Sequence, residues 1–101
     1  MIDKGLIKEL QLLFEYISKD NNSGLIREIV KSFLYQNEEF MLTSEDIQTL
    51  RKHGLDIYIT DNTSSVDLKP STDYRLFIKD KHNGVYVCTI SKDDFLKVCS
   101  A

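Results

Sequence analysis

Two cysteines and two histidines are the residues of this chain that could supply nucleophilic or metal chemistry. A cysteine nucleophile would use the thiolate of Cys88 or Cys99. Either His53 or His82 would then act as the base. A zinc site needs cysteines and histidines at ligand spacing, which these four positions lack. We therefore predict no metal site and no cofactor, and a small cysteine-dependent enzyme is the second alternative function.

The positions of these residues favour structural roles. Cys88 alternates toward the predicted core between Tyr86 and Ile90, where a thiol acts as a small apolar side chain. His82 lies at a predicted hairpin tip. His53 lies in the last turn of a predicted helix, where a cation suits the helix dipole. We therefore predict no catalytic residue and no enzymatic activity.

Carboxylates are the other group that could do chemistry, and several fall around one predicted loop. These residues are Asp56, Asp61, Asp67 and Asp73. A calcium-binding loop needs more closely spaced oxygen ligands and a bidentate glutamate, and this segment has neither. The pattern therefore favours an acidic surface that contacts a partner. Tyr58 lies within the same segment and is predicted to belong to that surface.

The remaining acidic pairs have local explanations, with one exception. Asp46 and Asp94 are placed to cap helices. Glu38 and Glu39 have no such role, and a solvated helix end would explain them. If they do have a function, the segment 36–46 is the second candidate for partner binding.

Charge and composition exclude several functional classes. The chain has 101 residues and a net charge of −3, with seven basic and nine acidic side chains in residues 1–53 and six and seven in the rest. Neither half is a basic footprint for nucleic-acid phosphates or for an anionic membrane. No apolar run approaches the ~20 residues that span a bilayer, and charges within residues 1–8 oppose a secretory signal. We expect a cytoplasmic protein with reduced thiols.

The first half of the chain has helical periodicity. One helix is predicted over residues 3–19, and a second follows a polar turn, with Asn22 or Ser23 as its cap. A third is predicted over residues 44–53. Its start carries a capping box of Thr43 with Asp46, and its end carries Gly54 at a left-handed position.

The second half has strand periodicity. Strands are predicted over residues 55–60, 74–80 and 85–90, with a long polar loop over 61–73. A three-residue loop ending at Gly84 would set Leu76 opposite Ile90 on one buried face, and Ile78 opposite Cys88, so we predict that register.

The outward face of this predicted sheet is partly apolar and would suit a homodimer or another partner. Its members are Arg75, Phe77, Lys79, Val85, Val87 and Thr89. A last short helix is predicted after a Ser91 cap, with Phe95, Leu96, Val98 and Cys99 packed inward.

The predicted fold is an α+β domain over residues 1–101. Three helices precede a three-stranded antiparallel meander, a short helix ends the chain, and helices cover one face of the sheet in two layers. The predicted function is a small acidic protein-binding module, such as an inhibitor or an immunity-type protein that blocks a toxin nuclease. Its partner is expected to have a basic surface.

A nucleic-acid-binding regulator is the first alternative. The second and third helices would form a helix-turn-helix, but the link from Gln36 to Thr43 is too long for the usual three-to-four-residue turn. Arg51 and Lys52 make only a small basic cluster. Nucleic acid is therefore the less favoured partner.

Overall fold

The helices precede the three long strands as their residue patterns predict, but a short hairpin that the sequence does not predict lies between the second and third helices. The computed structural model describes residues 3–17, 22–61 and 73–99, except for the side chains at positions 61, 98 and 99. Its elements are α1 (Lys4–Glu15), α2 (Ser23–Leu34), β1 (Tyr35–Gln36), β2 (Glu39–Phe40), α3 (Ser44–Lys52), β3 (Asp56–Asp61), β4 (Asp73–Lys79), β5 (Gly84–Ser91) and α4 (Lys92–Cys99). The α+β class and the three-stranded antiparallel sheet are confirmed.

Helices α1 and α2 each bury one apolar stripe. Their buried residues are Ile7, Leu10 and Phe14 in α1, and Ile26, Val30 and Leu34 in α2. The three- and four-residue spacing puts each set on one side of its helix, as the sequence predicts. Among the described residues, no helix is long and apolar enough to cross a bilayer.

Asn22 joins the two helices in a way that differs from the prediction. The sequence assigns Asn22 or Ser23 as a cap for α2, but the Asn22 side chain makes no capping hydrogen bond there. Its Nδ2 instead donates to the carbonyl oxygens of Leu13 at 3.3 Å and Tyr16 at 3.4 Å. This buried amide therefore hydrogen-bonds to carbonyl groups near the C-terminal end of α1. Helix α1 ends at Glu15 and not at the predicted residue 19.

A two-stranded hairpin separates α2 from α3, where the sequence predicts only a solvated helix end. Strand β1 pairs with β2, with Tyr35 opposite Phe40. The turn residues Asn37 and Glu38 have φ values of 52° and 65°, in the left-handed region. Two consecutive left-handed residues are the signature of a tight hairpin turn whose twist matches that of its strands.

The start of α3 agrees with the prediction. The Thr43 side chain accepts from the Asp46 N–H at 3.2 Å, and the Asp46 carboxylate accepts from the Thr43 N–H at 3.2 Å. This reciprocal capping box satisfies two donors that the helix itself cannot satisfy.

The end of α3 also follows the prediction. Gly54 has φ +82°. Its N–H donates to the carbonyl of Arg51 at 3.1 Å, and the N–H of Leu55 donates to the carbonyl of Leu50 at 3.0 Å. Together these bonds form the Schellman arrangement that a left-handed glycine allows.

The three long strands form an antiparallel sheet in the order β3-β4-β5, but the predicted register between β4 and β5 is wrong. Leu76 lies opposite Cys88, and Ile78 lies opposite Val85. The pairing shifts beside Leu76, so that Val87 is an extra residue in β5. This β-bulge lets Val85, Val87 and Ile90 all reach the core, which strict alternation cannot do.

The turn between β4 and β5 explains part of this difference. Lys79 pairs with Gly84, so residues 80–83 form the turn. The Asp80 carboxylate accepts from the N–H groups of His82 at 2.9 Å and Asn83 at 2.7 Å. This side-chain turn displaces the Asn-Gly loop that the sequence suggests.

The C-terminal helix begins as predicted but is oriented differently. The N–H of Asp94 donates to the Ser91 hydroxyl at 3.3 Å. Phe95 packs against the core and stacks on Tyr74, with ring centroids 4.5 Å apart. Leu96 is 60 % exposed, so the prediction that it packs inward is wrong. The predicted inward packing of Val98 and Cys99 concerns side chains outside the described part.

One prediction concerns the end of α3. Gly54→Val should lower the free energy of unfolding by about 1–2 kcal/mol, because a β-branched residue resists a positive φ. Urea denaturation measures the change. Gly24→Val is the matched control, because Gly24 has no positive φ and a side chain at this position would meet no atom within 4 Å of its Cβ. An equal loss in both variants would contradict the left-handed requirement at Gly54, because only that glycine has a positive φ.

A second prediction concerns the hairpin turn. Glu38→Gly should leave stability unchanged or raise it by up to about 1 kcal/mol, because glycine relieves the left-handed strain at this position. Glu39→Gly, in an extended strand, should lower stability instead. Comparison of the two urea midpoints checks this, and a larger loss from Glu38→Gly than from Glu39→Gly would contradict the assigned turn.

Candidate functional site

The sheet has one covered face and one open face, and the open face carries the candidate site. Inward residues of the three strands belong to the core cluster, which includes Ile57, Leu76, Ile78, Val85 and Val87. The alternate residues form three rows across the open face. They are Asp56, Lys79 and Gly84; Tyr58, Phe77 and Tyr86; and Thr60, Arg75 and Thr89.

The middle row is a continuous line of aromatic rings across all three strands. Tyr58 and Phe77 stack, with centroids 5.2 Å apart and planes 10° from parallel. Phe77 and Tyr86 meet edge to face at 5.6 Å. Such pairs contribute roughly 0.5–1.5 kcal/mol beyond their buried area, so each ring holds its neighbour in one orientation. We call these three residues the aromatic row.

Cationic side chains lie at both ends of the aromatic row. The Lys79 ammonium is 5.2 Å from the centre of the Tyr58 ring. On the other side, the Arg27 guanidinium carbon is 5.5 Å from the centre of the Tyr86 ring, and its Nε donates to the Tyr86 carbonyl at 3.1 Å. Arg27 therefore reaches from α2 to the backbone of β5 and contacts the open face.

The Tyr58 hydroxyl lies close to the backbone of Gly84. A Cβ at position 84 would lie 3.2 Å from the Tyr58 hydroxyl oxygen. Glycine at this position leaves room for the Tyr58 side chain as it crosses β4.

A notch of about 470 Å³ opens beside the aromatic row. We define it by its four lining residues, which are Arg75, Phe77, Tyr86 and Thr89. The Tyr86 and Thr89 hydroxyls hydrogen-bond to each other at 2.8 Å. The notch thus combines an aromatic wall, two hydroxyl groups and a guanidinium.

The acidic residues that the sequence predicts as partner contacts are only partly brought together. Asp56 lies beside Arg51, with its Oδ1 2.8 Å from the arginine Nε. Asp61 and Asp73 lie at the opposite end of the sheet, where Asp61 pairs with Tyr74, the neighbour of Asp73. Asp67 lies outside the described residues. The predicted acidic surface is therefore divided between the two ends of the sheet.

Glu38 and Glu39 lie on the β1–β2 hairpin, and both are exposed. A groove of about 350 Å³ nearby combines apolar and acidic side chains. Its lining residues are Phe33, Gln36, Met41, Thr43, Glu45, Asp46 and Thr49. Strand β1 is tied to α4 because the Tyr35 hydroxyl donates to the Asp94 carboxylate at 3.3 Å. Burial, followed by the nearby Cys88 and Asp94, raises the pKa of Tyr35 to about 12.

The sequence analysis predicts Val85 and Val87 on the outward face of the sheet, and this prediction is wrong. Val85 and Val87 are 4 % and 0 % exposed and belong to the core, because the bulge changes which side chains point inward. The β4 half is correct, since Arg75, Phe77 and Lys79 do lie outward. Tyr86 takes the position on the open face that the sequence assigns to the valines.

Cys88 lies in a setting that disfavours a thiolate. It is half-buried against the core, opposite Leu76. Burial raises the pKa of its thiol, and Asp94 adds to the rise while Lys31 opposes it. His82 is exposed in the β4–β5 turn, and His53 is exposed where α3 ends. The described residues contain no cluster of three His, Cys, Asp or Glu side chains that could hold a metal ion.

Comparison with known proteins supplies no relative for this site. No family model, no curated protein and no solved structure matches the chain.

Sequence reasoning misses Tyr86 and Arg27. It assigns Tyr86 only as a neighbour of Cys88, because an unbroken alternation in β5 points the wrong residues outward. Arg27 has no sequence signal, since its role depends on the packing of α2 against the edge of β5. The sequence does predict Tyr58 as a surface residue, and its alternation places Arg75, Phe77, Lys79 and Thr89 on this face.

A third prediction concerns the thiol of Cys88. In a Cys99→Ser background, iodoacetamide should label native Cys88 at least ~10-fold more slowly than the urea-unfolded chain, because burial hinders access and raises its pKa. Mass spectrometry of the alkylated protein measures both rates. Equal rates in the two states would contradict the packing of Cys88 and favour the cysteine-enzyme alternative.

Proposed function

We propose that this chain is a non-catalytic protein-binding module of the inhibitor type, and that the open face of its sheet is the binding surface. The observation that carries the proposal is the aromatic row of Tyr58, Phe77 and Tyr86, bordered by cationic side chains on the face that the helices leave open. The chain would inhibit its partner sterically, by covering the partner's functional surface with this face.

The composition of the face supports protein recognition. Tyrosine and arginine are enriched among the residues that carry most of the binding energy in protein interfaces, and aromatic residues are enriched at interface cores. The stacked rings are already held in place, so binding would cost little additional side-chain entropy. A rigid aromatic centre with a polar border is the arrangement that such interfaces use.

The positions of the acidic residues change the expected charge of the partner's contact surface. The sequence predicts a partner with a basic surface, contacted by acidic residues. Of these, Asp56 lies against Arg51, while Glu38 and Glu39 lie on the hairpin. We therefore propose that the aromatic row supplies the main contact, and that a basic partner surface, as in an immunity-type complex, remains the expectation for the acidic hairpin alone.

Single-stranded nucleic acid is the second candidate ligand, because aromatic rings with nearby cations can bind stacked bases. Base stacking requires accessible ring faces. The Tyr58 ring is stacked with Phe77 and approached by Lys79, and the Tyr86 ring is approached by Arg27. These contacts favour protein over nucleic acid.

The test is affinity capture from a lysate of the organism that encodes the chain, with quantitative mass spectrometry. The baits are the wild type, Phe77→Ala and the control Leu12→Ala, which removes a 58 %-exposed side chain from α1. We expect at least one protein to be captured equally by the wild type and the control. Its capture by Phe77→Ala should fall about tenfold or more, as for the loss of a central interface residue.

Two further measurements make the result decisive. Circular dichroism checks that Phe77→Ala remains folded, and nuclease treatment of the lysate removes captures that depend on nucleic acid. If no captured protein depends on Phe77, the sheet face is not the protein-binding surface. If capture disappears with nuclease, the nucleic-acid candidate replaces the proposal.

A further inference from the structure

We infer that the groove between the β1–β2 hairpin and α3 is a second docking site, which accepts a lysine or arginine side chain from a basic segment of a partner protein. We call it the hairpin groove. Its lining includes the apolar residues Phe33 and Met41 and the acidic residues Glu45 and Asp46. The inference rests on the proposed function, because it assumes that the chain binds a protein. It uses a different surface, since the groove shares no lining residue with the notch or the aromatic row.

Negative charge is concentrated at the hairpin and the start of α3. Residues 32–50, which form the end of α2, the hairpin and most of α3, contain four acidic side chains and no lysine, arginine or histidine. The four are Glu38, Glu39, Glu45 and Asp46. The rest of the chain has thirteen basic and twelve acidic side chains. The net negative charge of the protein therefore comes from this region, where it favours a cationic partner group.

Most of these carboxylates are available to a partner. Glu38, Glu39 and Glu45 are exposed, and in the part of the chain that the structure describes their side chains have no hydrogen bond or ion pair. The Asp46 carboxylate accepts one hydrogen bond, from the Thr43 N–H to its Oδ2, and keeps its negative charge. An incoming cation would therefore not have to displace a cation of this chain from them.

Two positive contributions near the groove are smaller than this negative charge. Lys97 lines a neighbouring hollow that shares Met41 and Thr43 with the groove. The N-terminus of α3 has a partial charge of about +0.5, because the first N–H groups of a helix have no partner within it. One lysine and half a charge do not neutralise four carboxylates, so the surroundings of the groove stay negative.

The size and lining of the groove suit one long side chain with a charged end. Its volume of about 350 Å³ is near the lower end of the roughly 300–1,000 Å³ of typical ligand sites. Lysine and arginine pack their apolar stems on apolar surface and keep the charged group near water. Phe33, which is half-buried, and Met41, which is 44 % exposed, offer such a surface. The carboxylates of Glu45 and Asp46 can then pair with the charged end.

Other cationic occupants use only part of this lining. The described residues include no cluster of three His, Cys, Asp or Glu side chains that could hold a metal ion. A free polyamine would pair with the carboxylates but would leave Phe33 and Met41 without an apolar neighbour. A protein segment in which a basic residue stands beside an apolar one matches both features and is the occupant that we propose.

Two-dimensional amide NMR of the isotope-labelled full chain tests the inference, because shifted signals identify the residues that a ligand reaches. The probes are a peptide of Lys-Leu-Ser repeats, a peptide of Glu-Leu-Ser repeats with the same length, and spermidine, a polyamine. We expect the basic peptide to shift the signals of Gln36, Met41 and Thr49 saturably, and to bind more tightly than either other probe. Its affinity should fall as salt is added, because ion pairs at an exposed surface are screened.

Two matched pairs of variants separate the charge from the apolar contact. Glu45→Gln and Glu9→Gln each remove one negative charge, but Glu9 is exposed on α1. Glu45→Gln should weaken binding of the basic peptide about threefold, as for loss of an exposed ion pair, and Glu9→Gln less than about 1.5-fold. Met41→Ala should also weaken it about threefold, whereas Leu12→Ala, which removes a 58 %-exposed side chain from α1, should not.

The inference is overturned if the basic peptide leaves the groove signals unchanged, if the acidic peptide or spermidine binds as tightly, or if either pair of variants has equal effects. It is also overturned if the groove signals shift when the protein alone is concentrated, because a second copy of the chain would then be the occupant. Peptide-induced shifts confined to the surroundings of Phe77 would overturn it as well. If Phe77-dependent capture of a protein succeeds while the basic peptide fails, only this inference falls and the proposed function stands.

Discussion

Burial of one face of a three-stranded sheet is the constraint on which the rest of this structure depends. A sheet of only three strands needs helices to cover one side, because an isolated small sheet buries too little apolar surface to be stable. Here the inward side chains meet the apolar stripes of α1 and α2 in a single core cluster. Every outward side chain of the sheet is thereby left without a structural role in that core.

The bulge at Val87 makes this division complete. By adding one residue to β5, it turns Val85, Val87 and Ile90 to the core and leaves Tyr86 and Thr89 on the open face. A regular strand with the same sequence would expose at least one large aliphatic residue. The open face instead carries stacked rings, hydroxyls and cations, a composition that packing alone does not require. That difference between the two faces is the basis of the proposed binding role.

Local features of this fold are predictable from the sequence, whereas features that depend on distant contacts are not. The capping box at Thr43 and the left-handed Gly54 involve residues at most five positions apart, so short motifs specify them. The β4–β5 register depends on the Asp80 turn and on how the core accepts an extra residue, neither of which alternation reveals. For the site, the sequence predicts Tyr58 and the outward half of β4. Tyr86 and Arg27 require the tertiary structure.

The separate roles of the two sheet faces can be measured directly by comparing neighbours in β4. Leu76 is 0 % exposed and points inward, while Phe77 points outward into the aromatic row. Urea denaturation should show a loss of about 2–5 kcal/mol for Leu76→Ala, as for other buried aliphatic truncations. For Phe77→Ala the loss should be less than half as large, because it removes mainly ring contacts on an open surface. Equal losses, or a larger loss for Phe77→Ala, would contradict this division of the sheet, because Phe77 would then be a core residue and the open face would not be free to bind.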